Sequence, residues 1–188
     1  MPKLDREKYL VSEEFRQLVN ALADIDPLGF AMFAVAGLCG LRIIEVVSIR
    51  FADLLLNETP EILKVTVAKK KPRPPKLPMA DTAIPKTAVI ALKHYIATLP
   101  PEKRKPWMRV FPFTTRHGYR LFKAACAKAG LSDCYSPHCL RHFRGMQVYE
   151  STKDAFFTME SLRQSSINST QVYIHTVDGM KKAAGIDI

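Results

Sequence analysis

Leu28–Glu45 reads LGFAMFAVAGLCGLRIIE, and from Leu28 to Cys39 it holds no charged side chain. A helix that is apolar on every face has to be enclosed by other elements. The stretch therefore predicts a central helix and, around it, a domain built mainly of helices. The apolar run from Leu28 to Leu41 is too short to span a bilayer and ends at Arg42. A guanidinium emerging from the most apolar part of a chain is costly to bury without an anion. Glu45 lies one turn on, where it can orient that guanidinium. Taken alone, the two residues also read as a plain ion pair.

Upstream, Ser12 is the expected cap of a first helix, with Glu13 and Glu14 set favourably in its first turn and Phe15, Leu18, Val19 and Leu22 forming one apolar stripe. Asp26-Pro27 separates it from the central helix, and Gly40 permits a sharp change of direction. Downstream, Ile43–Ile49 is helical in character and Asp53–Pro60 has the composition of a connection. Ile62–Val67 alternates as a half-exposed strand does, and Met79–Ile84 is its expected return. Between them runs Lys69–Pro78, rich in Lys, Arg and Pro, which suits a basic hairpin tip. Helical spacing resumes over Thr87–Leu99, stopped by Pro100-Pro101, and over about Thr115–Ala129, closed by Gly130. Ser136 and Pro137 look like the cap and first position of another helix. Two shorter helical segments follow Asp154, split near Ser165 and Asn168. The sum is a mainly α domain with a small antiparallel β-sheet (α+β), a single domain over residues 1–188.

The chain is 47% hydrophobic over 188 residues, enough for one substantial core. Its formal net charge of +10 favours a polyanionic partner, nucleic acid ahead of an anionic membrane, over a neutral metabolite. Nothing near the N-terminus resembles an export signal, so the expected location is the cytoplasm, at the nucleoid if the source is prokaryotic. Cys39, Cys126, Cys134 and Cys139 form no CxxC pair and read as reduced, buried, small apolar residues.

Beyond Arg42 and Glu45, three groups of residues carry chemistry. Lys69, Lys70, Lys71, Arg73 and Lys76 on the hairpin are either a solvated charged turn or a contact to a nucleic-acid groove. His138-Cys139-Leu140-Arg141-His142 opens a helix, where positions three and four apart share a face. An acid/base group and a bidentate anion binder then sit together at a positive helix end, an arrangement that suits phosphate. A capping histidine beside a surface arginine is the plainer alternative. Zinc held by Cys126, Cys134, His138 and His142 is disfavoured, because no CxxC knuckle is present. The last group is Leu162-Arg163-Gln164-Ser165-Ser166 with Tyr173 nine residues after Gln164. A tyrosine between Val172 and Ile174 reads, by itself, as core.

Taken in chain order, GLRIIE, a hairpin lysine, HCLRH and LRQSSINSTQVY resemble the tyrosine recombinase (phage integrase) family, from about Tyr9 to the end of the chain. The resemblance implies the catalytic-domain fold of DNA breaking-rejoining enzymes and a site-specific recombinase or integrase that works through a 3'-phosphotyrosine intermediate. Arg42 then corresponds to the first catalytic arginine, with Glu45 as its acidic companion. Lys69 best fits the hairpin lysine, with Lys70 and Lys71 as alternatives. His138 and Arg141 correspond to the histidine and second arginine, His142 to the supporting histidine, and Tyr173 to the nucleophile. Gln164 stands where the family usually has His or Trp; it can hydrogen-bond a phosphate oxygen but cannot carry charge. Ser151–Phe157 lacks the family's usual glycine after the HxxRH helix.

The resemblance also implies no metal, no nucleotide cofactor, and a homo-oligomer, a tetramer on DNA, from a chain that can be monomeric when free. Many relatives carry an N-terminal helical clamp domain that is expected to be lacking here. Hairpin contacts would include Lys70, Lys71, Arg73 and Lys76, and base readout is assigned to the helix bearing Arg116 and Arg120. The tail beyond Tyr173 is expected to dock on a neighbouring protomer. Two other readings remain at this point: a type IB topoisomerase that relaxes supercoils, and a non-catalytic DNA-binding regulator retaining the fold. A Mg2+-dependent nuclease is disfavoured for want of clustered carboxylates around His138.

Overall fold

The computed structural model describes residues 9–67 and 79–183. Lys69, Lys70, Lys71, Arg73 and Lys76 lie outside the described residues. Helix α1 spans Ser12–Ile25 and buries Leu18, Ala21 and Leu22. Its cap differs from expectation: the Val11 N–H donates to the Glu14 carboxylate at 2.9 Å, so Ser12 is the first helical residue. The longer acidic side chain reaches back over one turn and adds charge where the helix dipole favours it.

Helix α2, Pro27–Leu38, is the central element anticipated from its composition. Asp26 caps it by accepting from the Leu28 N–H at 2.9 Å, and Pro27 occupies a position where a missing N–H costs nothing. Ala31 to Gly37 are all buried. Around α2 pack α1, α4 (Lys86–Thr98) and α6 (His138–Thr152). Helix α5, Thr115–Lys128, lies against α1 and touches the short α3 (Ile43–Val46).

The sheet has three antiparallel strands in the order β1 (Leu54–Leu55), β2 (Ile62–Thr66), β3 (Met79–Ala83). Leu63 faces Thr82 and Lys64 faces Asp81 across the β2–β3 ladder, while Leu63 and Val65 point into the core. Strand β1 falls inside the stretch read as a connection, since two residues are too few to show a period.

Ser136 does not cap α6: Pro137 holds the cap position with helical dihedrals and makes no side-chain bond there. At its other end, α6 stops on Lys153 at φ 55°. A lysine thus adopts the left-handed conformation in the segment that lacks the family glycine. Helices α7 (Ala155–Ser161) and α8 (Asn168–Ala183) follow, α8 longer than the short segment expected. A second, small core of Met146, Leu162, Tyr173 and Val177 joins α6 to α8, with Tyr9 and Tyr149 packed against it.

Cys39, Cys126 and Cys139 are buried as expected, and burial pushes their thiols up, to about 12 for Cys39 and about 11 for Cys126. Cys134 is exposed, contrary to the reading of all four as core, because it sits in the loop between α5 and α6. Among the described residues no helix is long and apolar enough to cross a membrane.

Candidate active site

Gly40, at φ 62°, turns the chain after α2 and sets Arg42 at the N-cap of α3. Glu45, 2% exposed, reaches back from the first turn of α3. Its carboxylate accepts from the Arg42 N–H at 2.9 Å and from Arg42 Nη1 at 2.7 Å, and lies 3.7 Å from Arg141 Nη1. The Arg42/Glu45 ion pair is therefore real, and it is one part of a larger cluster.

Arg141, on α6, is 1% exposed. Its Nη1 donates to the Gly40 carbonyl at 2.9 Å and its Nη2 to the Leu162 carbonyl. Burial, then the neighbouring Arg42, lowers its pKa to about 10, with Glu45 opposing the fall. It stays cationic at neutral pH. Each of its terminal nitrogens thus holds one backbone oxygen and keeps a second N–H donor.

The predicted sharing of one helix face holds for the histidines. His138 is exposed at the start of α6, its ring 4.6 Å from that of His142 in an edge-on arrangement. The His142 ring in turn contacts Tyr173 at 5.7 Å and Tyr9 at 5.3 Å. Burial, followed by His138 and Arg141, lowers the His142 pKa to about 4, so this imidazole is neutral at physiological pH.

Tyr173, on α8, is 1% exposed. Gln164 Nε2 donates to its hydroxyl oxygen at 3.2 Å, while Gln164 Oε1 accepts from Thr170 Oγ1 at 2.9 Å. Gln164 thus holds the phenol. Burial raises the Tyr173 pKa, outweighing the opposing effects of Gln164, Arg141 and Arg42, and the phenol remains protonated.

Residues from five elements or turns thus meet around Tyr173 and Glu45. Residues 8–179 match the Phage integrase family. The chain belongs to that family of tyrosine recombinases. Its catalytic-domain fold recurs in the crystal structure of XerA recombinase, with a TM-score of 0.73 and 23% identity over 96% of this chain and 64% of that one. It recurs also in XerH site-specific recombinase bound to palindromic difH substrate, a post-cleavage complex, with a TM-score of 0.72 and 17% identity over 95% and 53% of the two chains. Tyrosine recombinase XerD of Listeria monocytogenes serotype 4b (strain F2365) is 27% identical over 180 residues, 89% of this chain and 58% of the relative. The chain spans under two thirds of the length of that curated relative.

Two residues of the recombinase cluster escaped the sequence reading. Gly145 lies on α6 four residues after Arg141, and a Cβ there would meet the Tyr173 ring at 2.5 Å. A glycine inside a helix, costing about 1 kcal/mol against alanine, was the available signal. Arg163, at φ 54°, donates to the Cys39 and Gly40 carbonyls at 3.2 and 3.0 Å. Nothing in its sequence neighbourhood announced that role.

Arg116 and Arg120 are exposed on α5, where His117, Tyr119, Arg120 and Lys123 border an open hollow of about 550 Å³. Among the described residues no group of three or more His, Cys, Asp or Glu could hold a metal ion, and the zinc set of Cys126, Cys134, His138 and His142 does not assemble.

Proposed function

We propose that this chain is the catalytic domain of a site-specific DNA recombinase that cuts and rejoins double-stranded DNA through Tyr173. The observation that carries the reading is the hydrogen-bonded set in which Gln164 holds the Tyr173 hydroxyl at 3.2 Å beside His142, Arg141 and the Arg42–Glu45 pair. These residues come from distant parts of the sequence, and three guanidiniums (Arg42, Arg141, Arg163) surround one buried carboxylate. That leaves two positive charges in excess, a site suited to an anion. Arg42 Nε is buried without an acceptor, a donor that a phosphate oxygen satisfies after modest rearrangement.

In the proposed reaction Tyr173 attacks the phosphorus, the bond to the 5'-oxygen breaks, and a 3'-phosphotyrosine stores the bond energy for rejoining. Charge grows on the nonbridging oxygens as phosphorus becomes five-coordinate, and Arg42 and Arg141 stabilise it. His138 takes the phenolic proton. Lys69 donates a proton to the departing 5'-oxygen. The phenol is covered in the free chain, so DNA binding displaces what covers it while the Gly40 turn and the Gln164–Tyr173 unit keep their relative places, and each terminal nitrogen of Arg141 retains a second N–H for the phosphate beside its carbonyl bond. The hairpin cations with Arg116 and Arg120 supply phosphate and groove contacts. Exchange between two duplexes requires four strand cuts, which a homo-tetramer provides with one tyrosine each.

The test uses nicked suicide duplexes covering sequences that flank the parent gene, with wild type and Tyr173→Phe. A protein–DNA adduct resistant to denaturant is expected for wild type in EDTA and for none of the Phe variant. Binding without any adduct across those duplexes would refute the assignment in favour of a regulator. Relaxation of supercoils without strand exchange would make it a topoisomerase.

A further inference from the structure

Arg163 is the one cation of the cluster that the proposed reaction leaves without a part; both of its terminal nitrogens are engaged, while its Nε is buried without an acceptor. It follows α7 at φ 54°, a conformation that residues with a Cβ keep only where their surroundings hold them. The holding contacts are its own. Nη1 donates to Thr82 Oγ1 on β3 at 2.9 Å and to the Ser161 carbonyl at 3.2 Å. Nη2 donates to the carbonyls of Cys39 at 3.2 Å and Gly40 at 3.0 Å. The Gly40 oxygen accepts from Arg141 as well, and Arg141 also grips the carbonyl of Leu162, the residue just before Arg163.

Three separate pieces of chain are joined in this way. The Cys39–Gly40 turn sits two residues ahead of Arg42. The Ser161–Arg163 segment runs directly into Gln164, which holds the Tyr173 hydroxyl. Thr82 belongs to the strand that pairs with β2. Glu45 lies close enough to Arg163 to act on its charge, as does Arg42. A guanidinium is the side chain that can bridge all three, since its fork of fixed donors reaches several oxygens at once.

We propose that Arg163 is a positioning residue for strand cleavage, one that fixes the distance between the Gly40 turn carrying Arg42 and the Gln164–Tyr173 unit while touching no DNA. This rests on the reading of Tyr173 as the nucleophile. Lysine in its place keeps the charge but cannot span the oxygens. Glycine keeps the backbone conformation at no steric cost and removes only the bridge.

The experiment follows single-turnover adduct formation on a nicked suicide duplex that wild type cleaves, as a function of protein concentration, for Arg163→Gly and Arg163→Lys. Thermal unfolding of each variant is recorded alongside. The expected result is a maximal rate lowered on the order of tenfold to a hundredfold in both, as for other residues that orient a reacting group through a neighbour. The half-saturating concentration should stay within about threefold of wild type. A merely structural residue would instead weaken binding and the thermal midpoint together with the rate. That joint loss, a failure of both variants to fold, or a maximal rate within about threefold of wild type in either would overturn the proposal. Absence of any adduct with wild type would mark the failure of the nucleophile assignment itself, a separate outcome.

Discussion

Replacing Gly145 by alanine places a methyl group in the space that the Tyr173 ring fills. The added Cβ would stand 2.5 Å from Cζ and 2.7 Å from both Cε atoms of that ring. Carbon atoms pack at about 3.5–4.0 Å, so the ring must retreat by roughly 1 Å. The ring has little room, being 1% exposed and packed with Met146, Leu162 and Val177. Its hydrogen bond from Gln164, already 3.2 Å long, breaks under such a shift. Alanine improves helix propensity by about 1 kcal/mol over glycine. Overpacking costs about 1–3 kcal/mol, and the lost hydrogen bond about 1 kcal/mol. The net loss of stability is therefore modest, up to about 3 kcal/mol. Catalysis is far more sensitive, because misplacing a reacting atom by about 1 Å costs on the order of a hundredfold. Single-turnover adduct formation on a suicide duplex should fall by that factor while thermal unfolding remains cooperative. A natively folded Gly145→Ala protein whose adduct rate stays within about threefold of wild type would refute the argument.

Two further predictions follow from the electrostatics. Glu45→Gln removes the carboxylate that Arg42 and the buried Arg141 face at 2.7 and 3.7 Å. It should lower the unfolding free energy in urea by about 3 kcal/mol, as expected when one member of a buried charge cluster is lost; equal midpoints would contradict this. His142 has its pKa lowered from 6.5 to about 4 in the folded chain, so the unfolded chain binds the extra proton first as pH falls. Its contribution to stability is intact above pH 6.5 and is lost on descending toward pH 4, worth up to about 3 kcal/mol. Urea unfolding of His142→Gln across that window should show a shallower loss than wild type, and parallel curves would count against the neutral imidazole.

The sequence made the helices legible where side-chain periodicity was long enough. Leu28–Cys39 had to be central, and α2 is. Arg42 with Glu45, and His138 with His142, were legible because i,i+3 and i,i+4 spacing fixes neighbours within a helix. What stayed hidden depends on residues distant in sequence. The reason for Gly145 lies 28 positions away in Tyr173. The left-handed Arg163 is decided by carbonyls at Cys39 and Gly40. Local rivalry between polar groups was also opaque: Ser12 and Ser136 both looked like caps, yet Glu14 satisfies the end of α1 and Pro137 occupies the end of α6.

The exchange of His or Trp for Gln164 takes on a physical meaning once its two bonds are considered together. Thr170 fixes the amide oxygen, and that leaves the amide nitrogen pointing its hydrogen at the Tyr173 oxygen. A donor at that oxygen leaves the phenolic hydrogen itself free to pass elsewhere, and it lowers the cost of the phenolate, the direction in which Arg141 and Arg42 also act. Burial opposes all three and prevails in the free chain. In the proposed reaction the balance reverses as negative charge forms between the guanidiniums, because preorganised donors then act on that charge. A neutral amide at position 164 is therefore compatible with the reaction as long as the cations around Glu45 keep their places. The geometry makes that depend on Gly40, whose carbonyl is the shared acceptor of Arg141 and Arg163.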